Sequence, residues 1–257
     1  MTPGRQPKIT VVMPAYNERA TIAEILRRVQ AVELDQEIVV VDDGSTDGTR
    51  EFLAGLASSA QLSGGPRTAP PSQDAPPCSL RVLFQETNRG KGAALRRGFQ
   101  EARGDIIIVQ DADLEYDPAD YHKLIAPIEA GTADVVYGSR FLGGPHRVLF
   151  FWHYVGNKLL TLMSDMVTNL NLSDVWTCYK AFRREVLQSL ELREDRFGFE
   201  QEITIKTAQA GWRIYETPIS YYGRTYSEGK KITWKDGVGA LWCIVRYGLF
   251  SSARARR

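Results

Sequence analysis

Residues 105–118 read DIIIVQDADLEYDP. The branched apolar run Ile106–Val109 has the composition of a strand buried on both faces. It stops at carboxylates, with Asp111, Asp113 and Glu115 following in quick succession. In an open parallel sheet, ligands bind beyond the carboxyl ends of the strands. Residues two apart in an extended segment point the same way, so these three side chains are expected to line one side of a cleft, with a cation relieving their repulsion.

The segments around this stretch repeat its logic. Upstream, ITVVM (9–13) precedes a helical pattern that puts Ile22, Ile25, Leu26 and Val29 on one face. EIVVV (37–41) then precedes a second helix carrying Phe52, Leu53 and Leu56, and RVLF (81–84) a third with Leu95, Phe99 and Ala102. Downstream, Asp117 is placed to cap a helix that Pro118 opens, and DVVYG (134–138) supplies another strand. Strand and helix periods alternating in this way predict βαβ units and an α/β fold, a mostly parallel sheet with helices on both faces. Residues 58–79, SSAQLSGGPRTAPPSQDAPPCS, are too rich in Pro, Ser and Gly to build a core and read as a flexible surface insertion. We therefore expect one domain over residues 1–225, and a loop plus C-terminal segment over 226–257.

Composition sets outer bounds. Lys and Arg total 32 against 31 Asp and Glu, a formal charge of +1, so no global charge favours nucleic acid as a partner. The three cysteines, Cys78, Cys178 and Cys243, are odd in number and far apart, unlike a disulfide framework or a zinc site, and point to a reducing compartment. MTPGRQPKIT lacks the apolar core of a signal peptide, and no stretch approaches the ~20 apolar residues of a membrane span, so a soluble or peripheral protein is expected. Leu241, Trp242, Val245 and Leu249 recur at helical spacing ahead of a basic tail. That pattern fits either a helix lying in a membrane interface or one packed on the domain.

Several polar clusters fall at predicted strand ends: MPAYNE (13–18), VVVDDGSTDGT (39–49), QDADLE (110–115) and GSR (138–140). Magnesium is commonly held by one or two carboxylates, with water and phosphate oxygens completing the octahedron, so D-x-D at a strand end suggests a metal-bound diphosphate. Asp42 and Asp43 can accept hydrogen bonds from a base or a ribose, while Ser45 or Asp47 serves the turn. Tyr16 can stack on a base. Glu18 can bind ribose or favour the helix N-terminus.

Taken together with NRGKG (88–92), these motifs resemble the family 2 glycosyltransferases of GT-A fold, in that family's order, over residues 8 to 142. DVWTCYKAFRREVL (174–187), RFGFEQEI (196–203), ETPISY (216–221) and GRTYSEGKK (223–231) look more narrowly like the polyprenyl-phosphate sugar synthases of the dolichyl-phosphate mannose synthase type. The resemblance implies that Pro14, Tyr16, Glu18, Val41 and Asp43 meet the nucleotide, that Asp111 and Ala112 lie along the diphosphate, and that Asp113 and Glu115 hold Mg²⁺ or Mn²⁺. Arg140, Arg224 and Lys230 would hold phosphates and, with Asp113, form the catalytic set. Glu115 departs from the neutral Gln or Ser that relatives often carry. The implied activity is inverting transfer of a hexose, mannose or glucose, from a GDP- or UDP-sugar to a polyprenyl or dolichyl phosphate. The implied setting is the cytoplasmic face of a membrane, with a membrane-anchoring subunit as a further partner.

An acceptor hydroxyl needs a positioned base, whereas a phosphate monoester is largely ionised at neutral pH and needs cations. Arg224, Ser227, Lys230 and Lys231, with Arg140, answer the second need. The Glu-Asp pair of hydroxyl-directed relatives is absent from GFEQEI, although Glu200 or Glu202 could serve as a base. Transfer to a glycan hydroxyl therefore stays open, as does a non-catalytic nucleotide-sugar binding protein.

Overall fold

A computed structural model of the chain describes residues 8–63, 78–143, 147, 150–225 and 234–250. The first half is four strand–helix units: β1 (Ile9–Ala15), α1 (Ile22–Gln30), β2 (Gln36–Asp42), α2 (Thr49–Ser63), β3 (Cys78–Phe84), α3 (Lys91–Glu101), β4 (Ile106–Val109) and α4 (Tyr121–Glu129). The second half comprises β5 (Val135–Ser139), α5 (Phe151–Thr168), β6 (Lys180–Arg183), α6 (Arg184–Ser189), α7 (Phe199–Gln209), β7 (Ile214–Pro218) and α8 (Trp234–Leu249). One seven-stranded sheet runs in the order β3-β2-β1-β4-β6-β5-β7. All neighbours are parallel except β6, which runs antiparallel to both β4 and β5. The α/β fold and the mostly parallel sheet agree with the sequence reading, which did not foresee β6.

Every residue of β2 and β4 is buried, as a sheet covered on both faces requires. Alternate side chains serve two cores. Val11, Met13, Ile106 and Ile108 pack with α1 and α4, while Val12, Ile107 and Val109 pack with Leu95 of α3 and Ile203 of α7. Each fully buried aliphatic side chain contributes about 1.5–3 kcal/mol, so burial on both faces holds the strands that aim the site firmly.

The expected insertion is narrower than 58–79: α2 continues to Ser63 and β3 begins at Cys78, while residues 64–77 lie outside the described residues. Asp117 caps as expected, accepting from the Ala119 amide, but the element it opens is a single 3-10 turn ahead of α4. The C-terminal helix packs on the domain through Ala240, Cys243, Ile244 and Tyr247, against Ile205 of α7 and Leu160, Met163 and Val167 of α5. The apolar positions singled out from spacing lie on its other side: Trp242 is 62% exposed and Leu249 67%. On α5, Phe151, Trp152, Leu159, Leu162 and Met166 are exposed as well.

Candidate active site

A cleft of about 1530 Å³ lies across the carboxyl ends of β1, β2, β4 and β5. Its rim after β1 and β2 is stapled by hydrogen bonds between the two loops. The Asn17 amide donates to Ser45 Oγ (3.0 Å), the Glu18 amide to Thr49 Oγ1 (3.0 Å), the Arg19 amide to Asp47 Oδ2 (3.0 Å) and the Thr46 amide to Asn17 Oδ1 (2.8 Å). The small polar residues of DDGSTDGT are thus spent on holding MPAYNE in place. Gly44 turns this loop at φ 75°, where an added Cβ would sit 2.6 Å from the Asn88 amide nitrogen.

Pro14, Tyr16, Glu18, Asp43, Asp111, Ala112, Asp113, Glu115, Arg140 and Arg224 all line this cleft, so ten of the twelve singled-out positions come together. Val41 does not join them. Its side chain is fully buried between β2 and α3, packed with Val39 and Ala94, because it occupies an inward position one residue before the strand end. Lys230, like Ser227 and Lys231, lies outside the described residues. Asp43 is buried, and its carboxylate is already engaged by the Gln85 side-chain amide (2.7 Å) and the amides of Arg89 and Gly90 (2.8 Å each). Burial raises its pKa above the usual aspartate range against the pull of those donors. It therefore ties the start of α3 to the end of β2, with one lone-pair position left for a ligand. Asp42 is buried away from the cleft and pairs with Arg50 (2.8 Å).

The acidic segment after β4 is not extended. It turns, with Leu114 at φ 65°, and this overturns the expectation that the three carboxylates share one side. Asp111 faces Lys91 at the start of α3 (2.7 Å). Burial alone would push its carboxyl up, but the Lys91 ammonium holds it below the usual range. Lys91 also lies 3.8 Å from Glu200, which in turn is bonded to the buried ammonium of Lys180. Carboxylates and ammoniums thus alternate from the cleft wall into the core.

Asp113 and Glu115 turn the other way, toward Arg224. Its guanidinium donates to Asp113 Oδ2 (2.9 Å) and lies 3.5 Å from Glu115 Oε1 and 3.4 Å from Glu18 Oε2. Glu115 further accepts from the Arg224 backbone amide (2.8 Å) and the Tyr221 hydroxyl (2.9 Å). Burial, followed by the charges of Asp111 and Glu115, lifts Asp113 to about 7 despite Arg224. Among the described residues no three His, Cys, Asp or Glu side chains converge as a metal cluster. The physical reason lies in the same contacts: the carboxylates here are spread around a guanidinium. Three carboxylates around one shared cation, one of them held back from ionising by burial and by its neighbours' charge, nevertheless fit a divalent ion by charge and by oxygen chemistry.

Arg140, after β5, is held by Asp174 through Nε (2.7 Å) and Nη2 (2.7 Å), and it lies 5.1 Å from the centroid of the Tyr221 ring, whose hydroxyl donates to Glu115. Burial works against its charge, but Asp174 overrides that, so it is a fixed cation. Cys178 lines the cleft beside Lys91 and Asp111, and burial pushes its thiol well up, leaving it protonated. Lys91, Asp174, Tyr221 and Thr21, whose hydroxyl donates to the Ala112 carbonyl (2.7 Å), were not singled out from sequence. Lys91 alone carried a signal, as one of the two cations of NRGKG and the one that opens the following helix. The two GFEQEI carboxylates are both engaged elsewhere: Glu200 by Lys180 and Lys91, and Glu202 by the amides of Arg193 (2.9 Å) and Glu194 (2.7 Å) and by Lys206 (2.6 Å).

A mostly parallel sheet with an acidic turn after its central strand, a stapled double loop beside it and fixed cations in the same cleft defines a glycosyl transferase of GT-A fold. The family model for glycosyl transferase family 2 matches residues 10–191, and the chain belongs to that family. It is 31% identical over 231 residues to the dolichol-phosphate mannosyltransferase of Pyrococcus furiosus, which covers 87% of this chain and 59% of that longer protein. It is 28% identical to the undecaprenyl-phosphate mannosyltransferase of Micrococcus luteus, over 87% of each. With the polyprenol monophosphomannose synthase of Mycolicibacterium smegmatis it shares 30% identity over 86% of this chain and 79% of that one. Among solved structures, the glucosyl-3-phosphoglycerate synthase of Mycobacterium tuberculosis, in complex with Mn²⁺, UDP-glucose and phosphoglyceric acid, is similar at a TM-score of 0.68 and 22% identity. That match covers 95% of this chain and 80% of that one, and it shows the shared fold.

Proposed function

We propose that this transferase moves a hexose, mannose or glucose, from a nucleoside diphosphate sugar to a polyprenyl or dolichyl phosphate, with inversion. The observation that carries the acceptor assignment is the engagement of Glu200 and Glu202. Both are withdrawn into internal ion pairs, so neither stands ready to deprotonate an acceptor hydroxyl, whereas the cations a phosphate needs line the cleft. The names of the Pyrococcus, Micrococcus and Mycolicibacterium relatives support the same acceptor class.

In this reading the phosphate oxygen attacks the anomeric carbon, the bond from that carbon to the diphosphate breaks, and the electron pair leaves with the nucleoside diphosphate. Pro14, Tyr16 and Asp43 take the nucleotide, a GDP or UDP, and Lys91 keeps Asp111 ionised beside it. Asp113 and Glu115 hold Mg²⁺ or Mn²⁺, which when bound stabilises the charge that develops on the leaving diphosphate. Arg140 and Arg224, with Lys230 expected to join them, position the acceptor phosphate. The exposed apolar faces of α5 and α8 rest on the membrane surface, with or without an anchoring subunit. Among the described residues no helix is long and apolar enough to cross a membrane. Purified protein should be offered GDP- and UDP-hexoses, Mg²⁺ or Mn²⁺, and either a short polyprenyl phosphate or a panel of glycan hydroxyls, with products identified by mass. A glycosylated lipid phosphate supports the proposal. Turnover on hydroxyl acceptors with none on lipid phosphate overturns it.

A further inference from the structure

Of the cations that line the cleft, Lys91, Arg140 and Arg224 are bound in different ways. Lys91 has Asp111 at 2.7 Å and Glu200 behind it. Arg140 grips one carboxylate, Asp174, with two nitrogens at 2.7 Å, the geometry of a strong, directional pair. Arg224 has no carboxylate of its own. It spreads single contacts of 2.9, 3.4 and 3.5 Å over Asp113, Glu18 and Glu115, the first and last on the turn after β4 and Glu18 on the loop after β1. Three carboxylates thus meet this one guanidinium, none of them in the two-pronged grip that Asp174 has on Arg140.

We propose that Arg224 is the resting counter-ion of this acidic cluster, and that it and a divalent cation occupy the cluster in turn. The exchange itself rests on only the metal part of the function proposed above, and its consequence for the acceptor rests on the phosphate assignment as well. Both cations need the same oxygens. Asp113 Oδ2 is the atom nearest the guanidinium, and a metal held by Asp113 and Glu115 takes the space into which Arg224 now points. The exchange reaches further than one side chain. Glu115 is a latch for the segment before Arg224: its carboxylate accepts from the Arg224 amide and the Tyr221 hydroxyl, and its carbonyl accepts from the Tyr222 amide (2.9 Å). Drawing that carboxylate onto a metal costs the segment two of these three bonds and sets the guanidinium free to meet a phosphate. Loading the metal with the donor would thereby arm the cation that receives the acceptor, which gives the cleft an order of events. Glu115 is suited to this by its charge, since a neutral side chain there would hold Arg224 less well and compete less well for the ion.

The test uses the full chain without nucleotide or acceptor. Free Mn²⁺ is followed by electron paramagnetic resonance at pH 8 for the wild type and for Arg224→Ala and Arg224→Gln, each checked by circular dichroism for native secondary structure. Removing the competitor should tighten Mn²⁺ binding about tenfold in both variants. Trypsin adds a second readout in the wild type: Mn²⁺ should accelerate cleavage after Arg224, and Glu115→Gln should do so with no metal present. Variant affinities equal to or weaker than the wild type's, or a cleavage rate that Mn²⁺ leaves unchanged, overturn the exchange. Failure of all three proteins to bind Mn²⁺ would instead refute the metal assignment itself.

Discussion

Replacing Asp113 with Asn should make the metal-free protein more stable while abolishing turnover, and the size of the gain should depend on pH. The native protein keeps the Asp113 proton up to about pH 7, whereas an unperturbed aspartate releases it near 3.8. Between these values the native state binds more protons than the unfolded chain, so its stability falls as pH rises and the loss is complete above about 7. A pKa displaced that far corresponds to about 4 kcal/mol. Asn mimics the protonated acid, so the attraction of Arg224 for the ionised form is already counted in this amount. The side chain is 15% exposed and its neighbours can relax, so we halve the amount and expect a gain of about 2 kcal/mol at pH 8, or roughly 4–8 °C in Tm. Urea melts of wild type and Asp113→Asn in a chelator, from pH 4 to 8, read the gap directly. It should be near zero at pH 4 and widen steadily to pH 7. Adding Mn²⁺ should stabilise only the wild type. A gap that does not vary with pH, or a variant less stable than the wild type at pH 8, refutes the claim that crowded carboxylates destabilise the resting cleft.

Lys91→Met should cost about 3 kcal/mol in urea melts, because it leaves Asp111 and Glu200 buried without their cation; a loss below about 1 kcal/mol would mean that the alternating chain of charges contributes little. Asp43→Asn sets an amide against donors that the carboxylate now accepts from, so nucleoside diphosphate binding measured by calorimetry should weaken about tenfold, with unchanged affinity arguing against its place in the nucleotide site. Gly92→Ala gains about 1 kcal/mol in helix propensity but drives a methyl to 2.3 Å from the Glu194 carbonyl oxygen and 2.9 Å from Phe199 Cβ. Overpacking of about 1–3 kcal/mol should outweigh that gain, and a Tm that rises would show that the segment at 194 yields freely.

Strand ends were legible in the sequence because the apolar runs are short, branched and bounded by polar turns, and the cleft followed because open sheets bind ligands there. The partners of the cleft residues were not legible. Asp174 meets Arg140 across 34 residues and Arg224 meets Asp113 across 111, and no local spacing encodes either pair. Period-two reasoning failed at Asp111, Asp113 and Glu115 because it assumed an extended backbone, and Leu114 takes a left-handed conformation that a leucine rarely adopts. The resemblance sets Val41 at the nucleotide, and its side chain lies in the core: in a buried strand one step separates the face of the core from the mouth of the cleft. On α8 helical spacing found an apolar stripe correctly but could not say which side meets protein, because Ala240, Cys243, Ile244 and Tyr247 form a second one.

The antiparallel strand β6 bears on how the chain is made. β3, β2, β1 and β4 are neighbours in the sheet and close in sequence, so all the strands of this half are present once residue 109 has been synthesised. The outer edge of β4 then waits for a partner that lies more than seventy residues downstream, since Ile108 pairs with Ala181 and Ile106 with Arg183. During that interval Ile106–Val109 is an exposed apolar edge, the kind of segment that recruits other nascent chains. Asp105 precedes it, and Asp111 and Asp113 follow. Charges at the flanks of such a strand discourage its stacking, so the carboxylates that later shape the cleft also guard the unfinished sheet.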